Sequence, residues 1–166
     1  NITIFDTRSK SKIESFIKKL GPKYSDSIKI GKINPDNLTD KDLIILSSDI
    51  HSKSLFLKKA KEANVPIEYQ EIIFLKFSPN ITLIGVAGSY GKTMISKLIY
   101  SIFKSDPKSI SPQNFYAIDH ESSNEYISNL KKIKPGDIVI SEIPEYMISE
   151  YKNANINPHI AVITSL

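Results

Sequence analysis

Apolar and polar positions along the chain change period repeatedly, from short continuous apolar runs to helical spacing and back. Residues 2–5 (ITIF) form an apolar run, and residues 12–20 (KIESFIKKL) follow with Ile13, Phe16, Ile17 and Leu20 on one helical face. Gly21-Pro22 stops that helix. Residues 42–46 (DLIIL) read as a second buried strand, 54–63 as a second helix and 71–77 (EIIFLKF) as a short third one. Ser78-Pro79-Asn80 reads as a linker. A new run then opens with a strand at 81–87 (ITLIGVA), a glycine-rich loop, and a helix over 94–104 whose apolar side carries Ile95, Leu98, Ile99, Ile102 and Phe103. Residues 105–122 are polar and predict a loop, 124–133 a helix, and Lys134-Pro135-Gly136-Asp137 a turn. Residues 138–140 (IVI) and 159–164 (HIAVIT) complete the set as buried strands. Strands alternating with helices predict an α/β fold with parallel sheets, in two domains covering residues 1–77 and 78–166. The chain stops directly after a strand, where open α/β sheets build their sites, so a fragment is expected.

The stretch GVAGSYGKTM, residues 85–94, is where this pattern meets chemistry. Its glycines stand at 85, 88 and 91, and so miss the general phosphate-loop spacing, which would place the first at Val86. A strand, a glycine turn and a helix opening at Lys-Thr nevertheless provide what a phosphate needs: backbone N–H groups, a positive helix end and an ammonium. The residues expected to hold ATP are Gly88, Ser89, Tyr90, Gly91, Lys92 and Thr93, with the Thr93 hydroxyl on Mg²⁺. Glu142 follows the strand at 138–140 and is expected to share the metal. Lys92 and Glu142 are the candidate catalytic residues. His51, His120 and His159 carry no chemical spacing and are expected to have no catalytic role.

Composition narrows the picture in three ways. With no cysteine there is neither a disulfide nor a thiolate metal site, which fits a reducing cytoplasm. The net charge of +4 comes from lysines interspersed with acids, which predicts solvated helix faces and no nucleic-acid partner. No apolar run approaches the length of a membrane span. Within this lysine-rich background Arg8 is the only arginine, a hint that its planar fork is needed.

The loop resembles that of the Mur ligases, ATP-dependent amide ligases of peptidoglycan precursor synthesis, with Ala87-Gly88-Ser89-Tyr90-Gly91-Lys92-Thr93 in register. Tyr90 stands where the family usually has Asn or His. Further segments resemble the family's D-glutamate-adding branch: FDTR (5–8), DLIILSSDI (42–50), NVPIEYQEIIFL (64–75), KPGDIVISEIPEYM (134–147) and NPHIAVITSL (157–166). The resemblance implies a Rossmann-like N-terminal domain lacking its first strand, followed by part of a P-loop NTPase-type domain. It also implies UDP contacts from Asp6, Thr7, Arg8, Ser47, Ser48 and Asp49, with Asp49 in place of a glycine. The Ile143-Pro144-Glu145-Tyr146 turn departs from the family's Ser-Ser-Phe-Gln.

The implied reaction transfers phosphate from ATP to the carboxylate of UDP-N-acetylmuramoyl-L-alanine, and the amine of D-glutamate then attacks the acyl phosphate. The implied partners are a UDP-sugar-peptide and an amino acid, in a cytoplasmic monomer. The 166-residue chain by itself is expected to be inactive. Three alternatives stay open: a nucleotide-binding module without catalysis, an L-alanine-adding or folate-polyglutamate type of ligase, and an unrelated phosphate-loop kinase or motor.

Overall fold

A computed structural model describes residues 2–47, 50–51, 53–105, 114–118 and 125–165. It is an α/β protein in which the strands Ile4–Asp6 and Ile28–Ile30, and the pairs of a four-stranded sheet, are parallel. The chain divides into two compact units, Asn1–Ile44 with Ser52–Ile67, and Ile45–His51 with Glu68–Leu166.

In the first unit, β1 (Ile4–Asp6) leads into α1 (Lys10–Leu20) and returns to β2 (Ile28–Ile30), parallel to β1 with Ile4 opposite Ile28. Ile13 is the buried anchor of the α1 face. Gly21 ends the helix at φ +79°, its N–H bonding the Ile17 carbonyl, a conformation that favours glycine. The strand at residues 42–46 is observed as β3 (Ile44–Leu46), and the second helix as α2 (Lys58–Glu62) after one 3-10 turn. β3 pairs with β4 (Ile67–Tyr69), a three-residue strand with too few positions to show a period.

In the second unit, α3 (Gln70–Phe77) precedes β5 (Thr82–Ala87), α4 (Lys92–Ser105), β6 (Phe115–Ile118), α5 (Glu125–Asn129), β7 (Ile138–Ile143), α6 (Glu145–Asn153) and β8 (Ile160–Ile163). The four-stranded sheet has the order β6-β7-β5-β8 and is parallel throughout. Besides the helix expected over 124–133, which is observed only as Glu125–Asn129, three features depart from the sequence expectation. Phe115–Ile118 is a strand where a loop was expected, a short element marked only by Phe and Tyr beside Ala and Ile. β7 continues past Ile140 to Ile143, so Glu142 lies within the strand, opposite Val86 of β5. The third is α6, whose entry is set by Pro144 at its N-cap and whose buried face is Met147 and Tyr151, one turn apart.

Alternation along β7 divides the sheet into two faces. Ile138 and Ile140 join Ile84 and Val86 in a core against Ile95, Ile99, Tyr100 and Phe103 of α4. Ser141, next after Ile140 and in the opposite phase, bonds Tyr126 of α5 and Tyr151 of α6. The predicted turn before β7 is closed by Asp137, whose buried carboxylate accepts from the N–H groups of Lys134 and Asn114.

Candidate functional site

β5 and β7 lie side by side, yet their continuations leave to opposite faces: β5 runs into α4 on one, β7 into α6 on the other. Such a divergence opens a crevice at the carboxyl ends of the two strands. The glycine loop follows β5, and Glu142 stands one residue from the end of β7, so both lie at these strand ends.

Each glycine of the loop has a different role. Gly85 sits inside β5, where a Cβ would approach Ile143 Cδ1 at 2.6 Å and Pro158 Cγ at 2.8 Å. The displaced first glycine is therefore a packing residue of the strand. Gly88 takes φ +136° and has no room either, since a Cβ there would meet the Thr164 hydroxyl and come within 2.8 Å of the Ser165 N–H nitrogen. Gly91, at φ +81°, precedes the first turn of α4, and its carbonyl accepts from Ile95. The N–H groups of Lys92, Thr93 and Met94, in that first turn, have no intrahelical acceptor.

Residues following β8 brace the loop. Thr164 donates its N–H to the Ala87 carbonyl at 2.9 Å and its hydroxyl to the Tyr90 carbonyl, while Ser165 accepts from the Tyr90 N–H at 3.0 Å. Tyr90 thus has its backbone tied down and its ring exposed. Lys92 folds back so that its ammonium donates to the Gly88 carbonyl at 2.6 Å. Ser89 donates to the Glu145 carboxylate at 2.7 Å.

Glu142 is fully buried, and its two oxygens accept from α4: the Thr93 hydroxyl at 2.9 Å and the Ser96 hydroxyl at 2.9 Å. A buried carboxylate and a hydroxyl at a helix start are hard oxygen donors of the kind Mg²⁺ takes, so this pair fits the metal. Ser96 was not singled out from the sequence; its signal was a small polar residue one turn after Thr93 on an otherwise apolar helix face.

On the opposite face of β7 lies a second buried carboxyl, also missed from the sequence. Glu71 of α3 accepts from the hydroxyls of Tyr151 and Ser141, both through Oε1, the latter at 3.0 Å. Burial pushes its carboxyl up to about 7, against the smaller opposing effect of the Tyr151 and Ser141 hydrogen bonds. Burial and the neighbouring Glu71 charge raise Tyr126 and Tyr151 well above the usual phenol range.

The residues expected to hold UDP are placed as follows. Asp6 ends β1 in the first unit, and the Arg8 fork closes on it, with Nε 3.0 Å and 3.2 Å from its two oxygens and Nη2 2.6 Å from Oδ2. The hydrogen bonds from Arg8 hold the Asp6 carboxyl below its usual range. Thr7 lies exposed between them. Ser47 belongs to the second unit, where its carbonyl accepts from Ile50 N–H. Ser48, Asp49 and His120 lie outside the described residues. His159 immediately precedes β8 and accepts the Leu83 N–H at Nδ1, a structural bond. His51 packs its ring 5.9 Å from Tyr146. No group of three or more potential metal-ligating His, Asp or Glu residues occurs among the described residues, and none of their helices is long and apolar enough to cross a membrane.

Comparison with known proteins adds the remaining observation. A UDP-N-acetylmuramoylalanine--D-glutamate ligase of Clostridium kluyveri is 28% identical to the chain, over 99% of it. The chain is similar along nearly its whole length to D-glutamate ligases. The enzyme of that name from Clostridium novyi is 25% identical over 100% of the chain, and that of Chloroherpeton thalassium 23% identical over 79%. The chain spans about a third of the length of the first two relatives, 34% of each. No protein-family model matches it.

Proposed function

We propose that the chain is part of an ATP-dependent carbon–nitrogen ligase that joins D-glutamate to UDP-N-acetylmuramoyl-L-alanine by way of an acyl phosphate. The observation carrying this reading is the Thr93 hydroxyl on the buried Glu142 carboxylate, at the crevice where β5 and β7 part. The similarity to D-glutamate ligases supports the substrate class of this reading.

In this reading Gly88 to Thr93 cradle the triphosphate with N–H groups, the part of the second unit that corresponds to a P-loop NTPase-type domain. Bound Mg²⁺, held by Thr93 and Glu142, would supply charge neutralisation at the phosphates. Lys92 would turn from the Gly88 carbonyl to the terminal phosphates and offset the charge that develops there. Asp6, Thr7 and Arg8 of the first unit would contact the UDP group, with Arg8 fixed by Asp6. On this reading the protein works in the cytoplasm.

Lys92→Ala in the complete protein is expected to abolish phosphate release that depends on both UDP-N-acetylmuramoyl-L-alanine and D-glutamate, with circular dichroism unchanged. Near-normal ligation by that variant would sink the assignment.

A second reading, nucleotide binding without ligation, is favoured by Glu145, whose carboxylate lies on Ser89 in the loop itself. An acid at that place opposes a polyphosphate unless a cation intervenes. ATP binding by the complete protein with no turnover on any amino acid would select this second reading.

A further inference from the structure

Ser141 and Glu142 are neighbours on β7 and project to opposite faces of the sheet, and each meets a carboxylate–hydroxyl bond there. On one face, Thr93 and Ser96 of α4 hold the Glu142 carboxylate. On the other, the Ser141 hydroxyl is held by the carboxyl of Glu71, which also receives Tyr151 of α6. Tyr126 of α5 completes this group, 3.2 Å from the Ser141 hydroxyl. Glu71 and Ser141 are both essentially inaccessible, and Glu71 Oε2 finds no hydrogen-bond partner among the described residues.

Packing alone does not account for Glu71. A buried carboxyl with one unsatisfied oxygen costs free energy, and an apolar side chain of similar volume would fill the same space without that cost. What an apolar residue cannot do is hold a hydroxyl in place. A polar bond on each face of β7 also opposes the one-residue slip that would turn Glu142 away from α4.

We propose that Glu71 is a positioning residue for Glu142: acting through Ser141, it pins the carboxyl end of β7 from the face opposite the glycine loop. This rests on the reading of Glu142 as a magnesium ligand, and the test separates the two.

The experiment is equilibrium binding of ATP to the complete protein, with and without Mg²⁺. Glu142→Ala should lose about tenfold or more of the magnesium-dependent affinity, as loss of a metal ligand does, and Lys92→Ala should weaken binding under both conditions. Glu71→Ala should lose several-fold of the magnesium-dependent part and leave metal-free binding unchanged. Glu71→Gln keeps a carbonyl acceptor for Ser141 and Tyr151, and should restore it. A purely structural role would lower the melting temperature of Glu71→Ala without changing the ratio of the two affinities.

That ratio staying at the wild-type value in Glu71→Ala, while Glu142→Ala loses it, overturns the inference. Should Glu71→Ala fail to fold, Ser141→Ala decides the matter by the same ratio. If Glu142→Ala and Lys92→Ala both bind ATP as the wild type does, the nucleotide reading falls, and this inference with it.

Discussion

At the scale of single residues, the glycines separate into those that serve shape and those that serve access. Gly88 has a positive φ and a neighbouring backbone atom where a side chain would begin, so both strain and collision oppose any other residue there. Gly88→Ala is expected to weaken ATP binding by tenfold or more, measured calorimetrically, with the Thr164 and Ser165 braces displaced. Glu71 gives a prediction in pH. Its folded carboxyl titrates near 7, against an ordinary value of 4.5, so the unfolded chain binds fewer protons between those values. The neutral carboxyl's stabilisation is full below about pH 4.5 and is lost as pH rises through 7. The loss is about 3 kcal/mol by linkage. Denaturant unfolding of Glu71→Gln relative to wild type should therefore show a stability difference that shifts in the variant's favour from pH 4.5 to 7 and is level above. A difference independent of pH would contradict this.

At the scale of elements, the strand–loop–helix unit was legible because its signals are local: an apolar run, three glycines and Lys-Thr before a helical period. Gly85 was placed in the strand at 81–87 and also counted as the displaced glycine of the motif, and only the tertiary structure shows that it packs against Ile143 and Pro158. Gly85→Ala is expected to destabilise the fold by about 1–3 kcal/mol through overpacking. Adding Ile143→Val, which removes the colliding Cδ1, should recover part of that loss in the denaturation midpoint. Equal stability of the single and double variants would show that Pro158 alone sets the limit. β2 and β4 were not legible, since Lys29 and Glu68 break their short runs, unlike the apolar runs that mark β1 and β3, and β6 was passed over within the polar stretch 105–122. α6 was passed over although Pro144 and the pair Met147 and Tyr151 signalled it, because polar residues dominate the segment.

At the scale of the whole molecule, ligand linkage offers a check that needs no substrate. ATP with Mg²⁺ at about a hundred times its Kd should raise the unfolding free energy of the complete protein by about 2.7 kcal/mol, and by much less in Lys92→Ala at the same concentration. Absence of any nucleotide-dependent shift would argue against the site.

By itself the sequence determined the α/β class and the strand–glycine–helix unit, and it named Lys92, Thr93 and Glu142 as candidates for one chemistry. Those properties follow from short-range periodicity, turn residues and the side chains themselves. Only the tertiary structure decided that Thr93 and Glu142, 49 positions apart, share a hydrogen bond, and that Ser96 joins them. It also decided that Glu71, drawn from a helix that reads as plain apolar, reaches the other face of β7. Strand order and the side on which each helix returns set these pairings, and both are fixed by packing between segments distant in sequence, which local pattern does not encode.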